Sequence, residues 1–316
     1  MALLDQLWSD YRDFFDRNSK RLPKALRTRP GQCLRKSDGS RRTQESFGFE
    51  WTQFSRMRPE WLHNFLGYLG PRPESCLSRG VVLDAGCGMG RHLYFASDYG
   101  AEVIGVDFSR AVDAAYENTR DCPRSHVVQA DLTRLCFRSV CFDFIYCLGV
   151  LHHLPNPHRG LESLISHLKP GAELRMYVYW TSEDESAAKR CLLSVARWLR
   201  RGTTRVPPQV LLPLCYPISM ALWLALVLPS AVLGRSEMTR SIANRIPLRQ
   251  YADYPFGVLL NDQLDRLSAP IERRYSHAQV KQWLRDVGLG EVTVQPHFGW
   301  VGHGKKPDHQ LVEAGA

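Results

Sequence analysis

No Cys-x-x-Cys pair occurs anywhere in the 316 residues, and the nine cysteines are odd in number and scattered. A disulfide framework and a zinc ribbon are therefore excluded, no metal site is expected, and a reducing cytoplasm is the expected compartment. A basic start followed by an apolar run is also missing. MALLDQLWSDYRDFF mixes acids with aromatics, so no export signal is read. Acidic residues are scarce in two places: residues 17–42 hold ten Lys/Arg against Asp38 alone, and residues 189–249 hold ten against Glu237 alone. Removing those twenty bases and two acids from totals of 41 and 32 leaves 21 against 30, so the net charge of +9 resolves into an acidic body of net −9 carrying two basic segments. No nucleic-acid reading module accompanies the charge, and nucleic acid is not the expected partner. What the chain does have is 44% hydrophobic and 10% aromatic residues, enough for a sizeable core.

The first 45 residues end in RNSKRLPKALRTRPGQCLRKSDGSRR, which reads as a mobile basic segment. From Phe47 to Leu69 the aromatics Phe47, Phe49, Trp51, Phe54, Trp61 and Phe65, with Pro59 able to open a helix, predict helical packing against the main domain. Between Val81 and Trp180 short apolar strands (VVLDA, EVIGVD, HVVQAD, FDFIYCL, ELRMYVYW) alternate with helices of about ten residues, with Ser109 as the expected cap of the second helix. That alternation predicts an α/β fold, a doubly wound parallel sheet covered on both faces. The pattern breaks at Thr181 and resumes near Ser276, where HAQVKQWLRDVGL reads as a helix and EVTVQPHF as a strand. The expected organisation is a basic segment 1–45, a domain built from 46–180 plus 271–316, and a helical insertion over 181–270.

The first strand ends in Asp84-Ala-Gly86-Cys-Gly88-Met-Gly90, directly before a helix. Glycines there let the chain turn sharply and bring backbone N–H groups against a ligand. A dinucleotide fingerprint needs glycine at position 91, where the chain has Arg91. The D-x-G-x-G-x-G that stands instead resembles motif I of the class I S-adenosylmethionine-dependent methyltransferases, which carry a Rossmann-like sheet. The segment FDFIYCLGVLHHLPNP is similar to the family's region after the fourth strand, and LKPGAELRMYVY to the turn after it, with Ala172 where a second glycine is usual. Within the class the chain is most similar to the branch that methylates quinones and other small molecules.

The resemblance implies that Asp84, Gly86, Gly88 and Gly90 form the cofactor loop, that Asp107 accepts the ribose hydroxyls, that Phe108 lies on the adenine, and that Asp131 and Leu132 surround it. Leu148 would face the cofactor as well. The pair His152 and His153 would face the acceptor, either one serving as a base; each could equally cap a helix or bond a carbonyl. Arg91 has two readings, a partner for the cofactor carboxylate or a solvent-facing residue. The second is preferred, because a cation at a helix N-terminus is disfavoured without a partner. Cys87 is not expected to act as a nucleophile, since methyl transfer from a sulfonium is a direct displacement, and Cys141 and Cys147 read as core.

From Val206 to Leu233 twenty-eight residues carry no Asp, Glu, Lys or Arg, which is long enough to cross a bilayer. Pro207, Pro208, Pro213, Pro217 and Pro229 are expected to leave only Ile218 to Leu228 as unbroken helix. The preceding SAAKRCLLSVARWLRR places Leu192, Val195, Ala196, Trp198 and Leu199 on one face and Lys189, Arg190, Arg197 and Arg201 largely on the other. A buried cap, a cap that touches the membrane surface and a transmembrane hairpin all fit. The expectation is a largely helical cap with an apolar interior for a lipophilic acceptor, in a cytoplasmic protein peripheral on the inner membrane face through 189–249. Tyr251, Tyr254, Phe256 and Tyr275 are candidate pocket lining. The expected activity is methyl transfer from S-adenosylmethionine to oxygen or carbon of a quinone, lipid or secondary-metabolite type of molecule. An inactive cofactor-binding scaffold and a nucleic-acid methyltransferase are the alternatives.

Overall fold

The computed structural model describes residues 26–27, 38–70, 72–181 and 187–308. Most of the basic segment 1–45 lies outside them. Seven strands follow in chain order: β1 (Val81–Ala85), β2 (Glu102–Asp107), β3 (Ser125–Gln129), β4 (Phe142–Leu148), β5 (Leu168–Val178), β6 (Gly290–Pro296) and β7 (Trp300–Lys305). They form one sheet in the order β3-β2-β1-β4-β5-β7-β6, extended beside β3 by the two-residue strand Leu26–Arg27. The first five strands are parallel, and β7 enters antiparallel between β5 and β6. The doubly wound α/β expectation holds. Where the sequence suggested one terminal strand there are two, because WVGHGK lacks the apolar run that marks β1 to β4.

Period-two alternation assigns the side chains to two cores. Leu83, Ile104, Ile145 and Leu174 face a layer holding Leu161, Leu164, Val280 and Leu284, from helices Pro157–His167 and His277–Asp286. Val82, Val103, Val127 and Phe144 face the opposite layer, built from Phe65, Leu69, Leu93, Val112 and Ala115 on helices Trp61–Leu69, Arg91–Ala96 and Ala111–Thr119. Local caps set the helix starts. The Asn156 side chain accepts the Arg159 N–H at 3.1 Å with Pro157 at the first position, and Ser276 with Gln279 forms a capping box.

Helix Asp38–Gln53 begins well before the expected boundary at residue 46. Its basic start is compatible with helix because Arg41 and Glu45 pair in solvent at 2.9 Å one turn apart, while Gln44 Nε2 donates to the Phe108 carbonyl at 2.7 Å. This element therefore lies across the C-terminal ends of the strands.

The insertion is helical: Ala187–Thr203, Pro208–Leu233, Glu237–Ala243 and Phe256–Ser268. The prolines do not break the second helix into the expected fragment. Pro208 occupies a first-turn position where no N–H is needed. Before Pro229 the helix widens into a π-turn at Trp223–Val227, in which the Leu228 N–H bonds the Trp223 carbonyl and the backbone adjusts to a residue that cannot donate. At its base the insertion is closed by a parallel bridge between Trp180 and Tyr275, with Tyr275 N–H donating to the Tyr179 carbonyl at 2.9 Å. Arg200 then clamps the segment before β6, bonding Glu272 and the carbonyls of Arg266 (2.8 Å) and Ala269 (2.7 Å).

Candidate cofactor and acceptor site

Strand order reverses between β1 and β4, where α/β sheets place their ligands, and a cavity of about 580 Å³ opens there. One end is the glycine loop. Gly86 lines the cavity at φ +90°, and a Cβ on it would sit 2.2 Å from a Val150 methyl, so only glycine fits between Val150 and the loop's cavity face. Gly88 lines the same wall. Gly90 does not. At φ +84° a Cβ there would meet the Ala115 backbone at 3.0 Å, so this glycine serves helix packing rather than the ligand.

Asp107, at the end of β2, faces the cavity and ties the loop to the next helix. Its Oδ2 accepts the Gly88 N–H at 3.0 Å, and its Oδ1 accepts the N–H and the hydroxyl of Ser109, both at 2.7 Å. A carboxylate oxygen carries two acceptor sites, so Oδ2 keeps capacity for a ligand hydroxyl. Ser109 also accepts the Ala111 N–H at 3.2 Å, but the cap position itself falls to Arg110, one residue later than expected. Asp131 holds the Thr133 N–H and hydroxyl on Oδ1, both at 2.8 Å, leaving Oδ2 with no bond to Thr133. Phe108, Leu132 and Leu148 complete this wall.

Asp84 belongs elsewhere. It is 1% exposed and lies outside the cavity lining; burial above all pushes its carboxyl up to about 8, against the lowering influence of Tyr146. Arg91 faces the cavity, contrary to the solvent-facing reading, because its guanidinium finds aromatic partners: it lies 5.0 Å from the Trp51 ring centre and 5.9 Å from that of Trp61. Cys87 is 4% exposed and burial holds its thiol well above the ordinary value, which suits packing rather than attack. Burial likewise raises Cys141, to about 12, and raises Cys147 further, as core thiols should behave.

The histidine pair separates. His153 lines the cavity, and its Nδ1 lies 2.6 Å from the Ile271 carbonyl. A carbonyl can only accept, so Nδ1 carries the proton and Nε2 is an acceptor. Phe47 packs edge-on against this ring at 4.7 Å. His152 is fully buried behind it, 4.1 Å from the rings of both His153 and Tyr179, with neither nitrogen hydrogen-bonded, and burial holds it well below the ordinary histidine range. The structure brings His153 to the site and leaves His152 in the packing.

The far wall comes from elements that the motifs did not cover. Tyr177 and Tyr179 end β5, Glu50 comes from the first described helix, and Tyr251, Tyr254, Asn261, Asp262 and Asp265 come from the insertion. Phe256 and Tyr275 pack away from it, against Tyr216 and Trp283 respectively. The expected apolar interior is therefore corrected: the insertion buries Leu211, Cys215, Leu260 and Leu264 among themselves and presents mostly phenols, amides, carboxyls and the Arg266 guanidinium to the cavity, with Leu193 and Val258 as its apolar lining. Tyr251 and Tyr254 line the cavity as expected; the acids were missed because helix Phe256–Ser268 places Leu259, Leu260 and Leu264 in the core and Asp262 and Asp265 opposite, a stripe that also describes an ordinary solvated face.

Residues 83–176 match the family model of a methyltransferase domain. The chain carries a class I S-adenosylmethionine-dependent methyltransferase domain. A ubiquinone biosynthesis O-methyltransferase from Coxiella burnetii is 30% identical over 126 residues, 39% of this chain and 54% of that protein. A tRNA U34 carboxymethyltransferase from Pseudoalteromonas atlantica is 31% identical over 120 residues, 37% of this chain and 36% of that one. Among solved structures, the S-adenosylmethionine-dependent methyltransferase SibL shares 13% identity with a TM-score of 0.45, covering 78% of this chain and 55% of its own. The matches thus span about a third to a half of the two sequence relatives' lengths. The methyltransferase domain's wall fits its cofactor, S-adenosylmethionine: a loop that admits no Cβ at Gly86, free acceptor capacity on Asp107 and an aromatic face at Phe108 are what a ribose, an adenine and a close-lying chain require.

Proposed function

We propose that the protein transfers a methyl group from S-adenosylmethionine to oxygen or carbon of a partly apolar small molecule. The observation that carries the reading is a single cavity joining the glycine loop, Asp107 and Asp131 at one end to His153 and a tyrosine wall at the other. The bound cofactor supplies a sulfonium methyl open to direct displacement. The chain's own residues hold the two reactants in line, an effect worth at most about 7–11 kcal/mol. His153 Nε2, fixed as an acceptor by the Nδ1 bond to Ile271, takes the proton of a phenol, enol or hydroxyl, which adds typically ~10²–10⁴-fold. A cavity of about 580 Å³ lies in the range of small-molecule sites, which favours a small molecule over nucleic acid. Incubation with methyl-labelled S-adenosylmethionine and fractionated small-molecule extracts tests this. Label appearing in a small organic product supports it; label in RNA or DNA alone refutes it.

The proposal includes a location, cytoplasmic and peripheral on a membrane. Helix Pro208–Leu233 is long and apolar enough to span a bilayer, with a mean hydropathy of 2.1 in a window only 22% buried. Yet Leu211, Cys215, Ser219, Val227 and Ser230 are buried along its whole length, so every stretch of it is fastened to the protein. It therefore lies in the surface plane, offering Leu214, Ile218, Leu224 and Val232 outward. Val195 and Trp198, on the apolar face of the preceding helix, are 50% and 66% exposed and extend the patch, while the arginines at 197, 201, 205 and 235 are exposed beside it.

A further inference from the structure

On the wall opposite the glycine loop, buried polar atoms lack partners, and all of them are acceptors. Glu50 is 1% exposed; the Asn261 amide lies beside it, yet among the described residues neither carboxylate oxygen has a partner in hydrogen-bonding geometry. The same holds for Asp265 Oδ1 and for Oδ1 of Asn261, which is 8% exposed. Nearby donors are committed: the Tyr251 hydroxyl to Asp262, the Tyr254 hydroxyl to Asn64 Oδ1 at 3.3 Å, the Tyr177 hydroxyl to the Phe298 carbonyl at 3.0 Å, and the Tyr179 hydroxyl to the other Asp265 oxygen at 3.4 Å. The surrounding cations are engaged as well. Arg200 and Arg274 pair with Glu272, Arg91 lies over its two tryptophans, and Arg266 shares the field of Asp262, Glu272 and Tyr251. Buried acceptors without donors cost free energy until a ligand supplies hydrogen, and carboxylates require that ligand to bring positive charge.

We infer that this wall binds a protonated primary amine, seated between Glu50, Asp265 and Asn261 beside Tyr68. Three N–H donors on one nitrogen match acceptors contributed by three side chains, and the ring of Tyr68 in the same cavity stabilises a cation by its quadrupole, whereas Tyr179 already carries the Arg274 guanidinium at 5.2 Å. Burial, and then the nearness of Asp265 and Asp262, raises the Glu50 carboxyl well above the carboxylate range, against the lowering influence of Arg91 and Asn261. The inference rests on the methyl-transfer reading for its second ligand and narrows the acceptor to molecules bearing an ammonium group near the reacting atom.

The test is calorimetric titration of 2-phenylethylamine and its neutral isostere 2-phenylethanol into protein saturated with S-adenosylhomocysteine, which fills the cofactor end without a sulfonium charge. The amine is expected to bind at least tenfold tighter than the alcohol. Glu50→Gln, which keeps shape and removes charge, is expected to erase that preference while S-adenosylhomocysteine affinity and melting temperature stay as in wild type. Equal binding of amine and alcohol, binding of neither, or an intact preference in Glu50→Gln overturns the proposal. Loss of S-adenosylhomocysteine affinity in Glu50→Gln also overturns it, by assigning the carboxylate to the cofactor. Failure of wild-type protein to bind S-adenosylhomocysteine at all is a separate result, counting against the methyltransferase reading while the amine titration remains readable without it.

Discussion

His153 Nδ1 lies 2.6 Å from the carbonyl oxygen of Ile271, and with the Arg273 N–H donating to the His152 carbonyl at 3.1 Å this bond connects the segment after β4 to the segment that closes the insertion. Because the carbonyl fixes the tautomer, the acceptor nitrogen of His153 is the one left for the cavity. His153→Ala is expected to lower turnover at least tenfold with cofactor affinity unchanged. His152→Asn, altering a ring outside the cavity lining, is expected to reduce thermal stability more than it reduces turnover per folded molecule. Steady-state kinetics beside melting curves separates the two, and the reverse pattern would exchange their roles.

Asp84 predicts a pH dependence of stability. Its folded carboxyl titrates at about 8, against 3.8 for an unperturbed one, so between those values the unfolded chain loses a proton that the folded chain retains. The group's contribution is fully present below about 4 and is lost as pH rises to about 8. Asp84→Asn should remove this decline, making the variant more favourable relative to wild type at pH 8 than at pH 5 by on the order of a few kcal/mol. Urea unfolding at the two pH values measures it.

Arg200 holds the insertion to the domain through Glu272 and two carbonyls. Arg200→Ala leaves the Glu272 carboxylate with one of its two arginines and should cost up to about 3–5 kcal/mol. Hydrogen exchange should show the loss concentrated in residues 187–268. Uniform loosening would mean that the insertion and the sheet unfold as one unit.

The exposed face of the insertion predicts reversible binding to anionic vesicles at low salt. Each arginine near the surface adds about 1 kcal/mol, a contribution that salt removes. Trp198→Ser combined with Leu224→Ser should weaken sedimentation with vesicles at least tenfold. Retention that only detergent reverses would indicate a spanning hairpin, and absence of binding at low salt would leave the face without a lipid role.

Strand-by-strand alternation and the Asp-Gly loop made β1 to β5 and the cofactor wall legible, because both are local: the apolar runs need burial on two faces, and Gly86 and Asp107 sit at strand ends in sequence as in space. What was not legible depends on distant partners. Asp84 and Gly90 belong to the same motif, yet one is sealed beside Tyr146 on a neighbouring strand and the other packs against Ala115 of helix Ala111–Thr119, partners that the motif itself does not contain. Arg91 turned toward the cavity because Trp51 and Trp61, thirty or more residues earlier in the chain, provide its partners. Glu50 and Asp265 are 215 positions apart, and no spacing rule joins them.

The central claim is that the loop from Gly86 to Arg91 and the acids Asp107 and Asp131 hold S-adenosylmethionine, and calorimetric titration of that cofactor tests it most directly. Wild-type protein should bind with one-to-one stoichiometry. Asp107→Ala should weaken binding by about 1.5–3 kcal/mol, the range for a hydrogen bond to a charged group. Gly86→Ala should abolish it, since the added methyl falls 2.2 Å from Val150. Absence of binding by the wild type, or undiminished binding by both variants, would contradict the account.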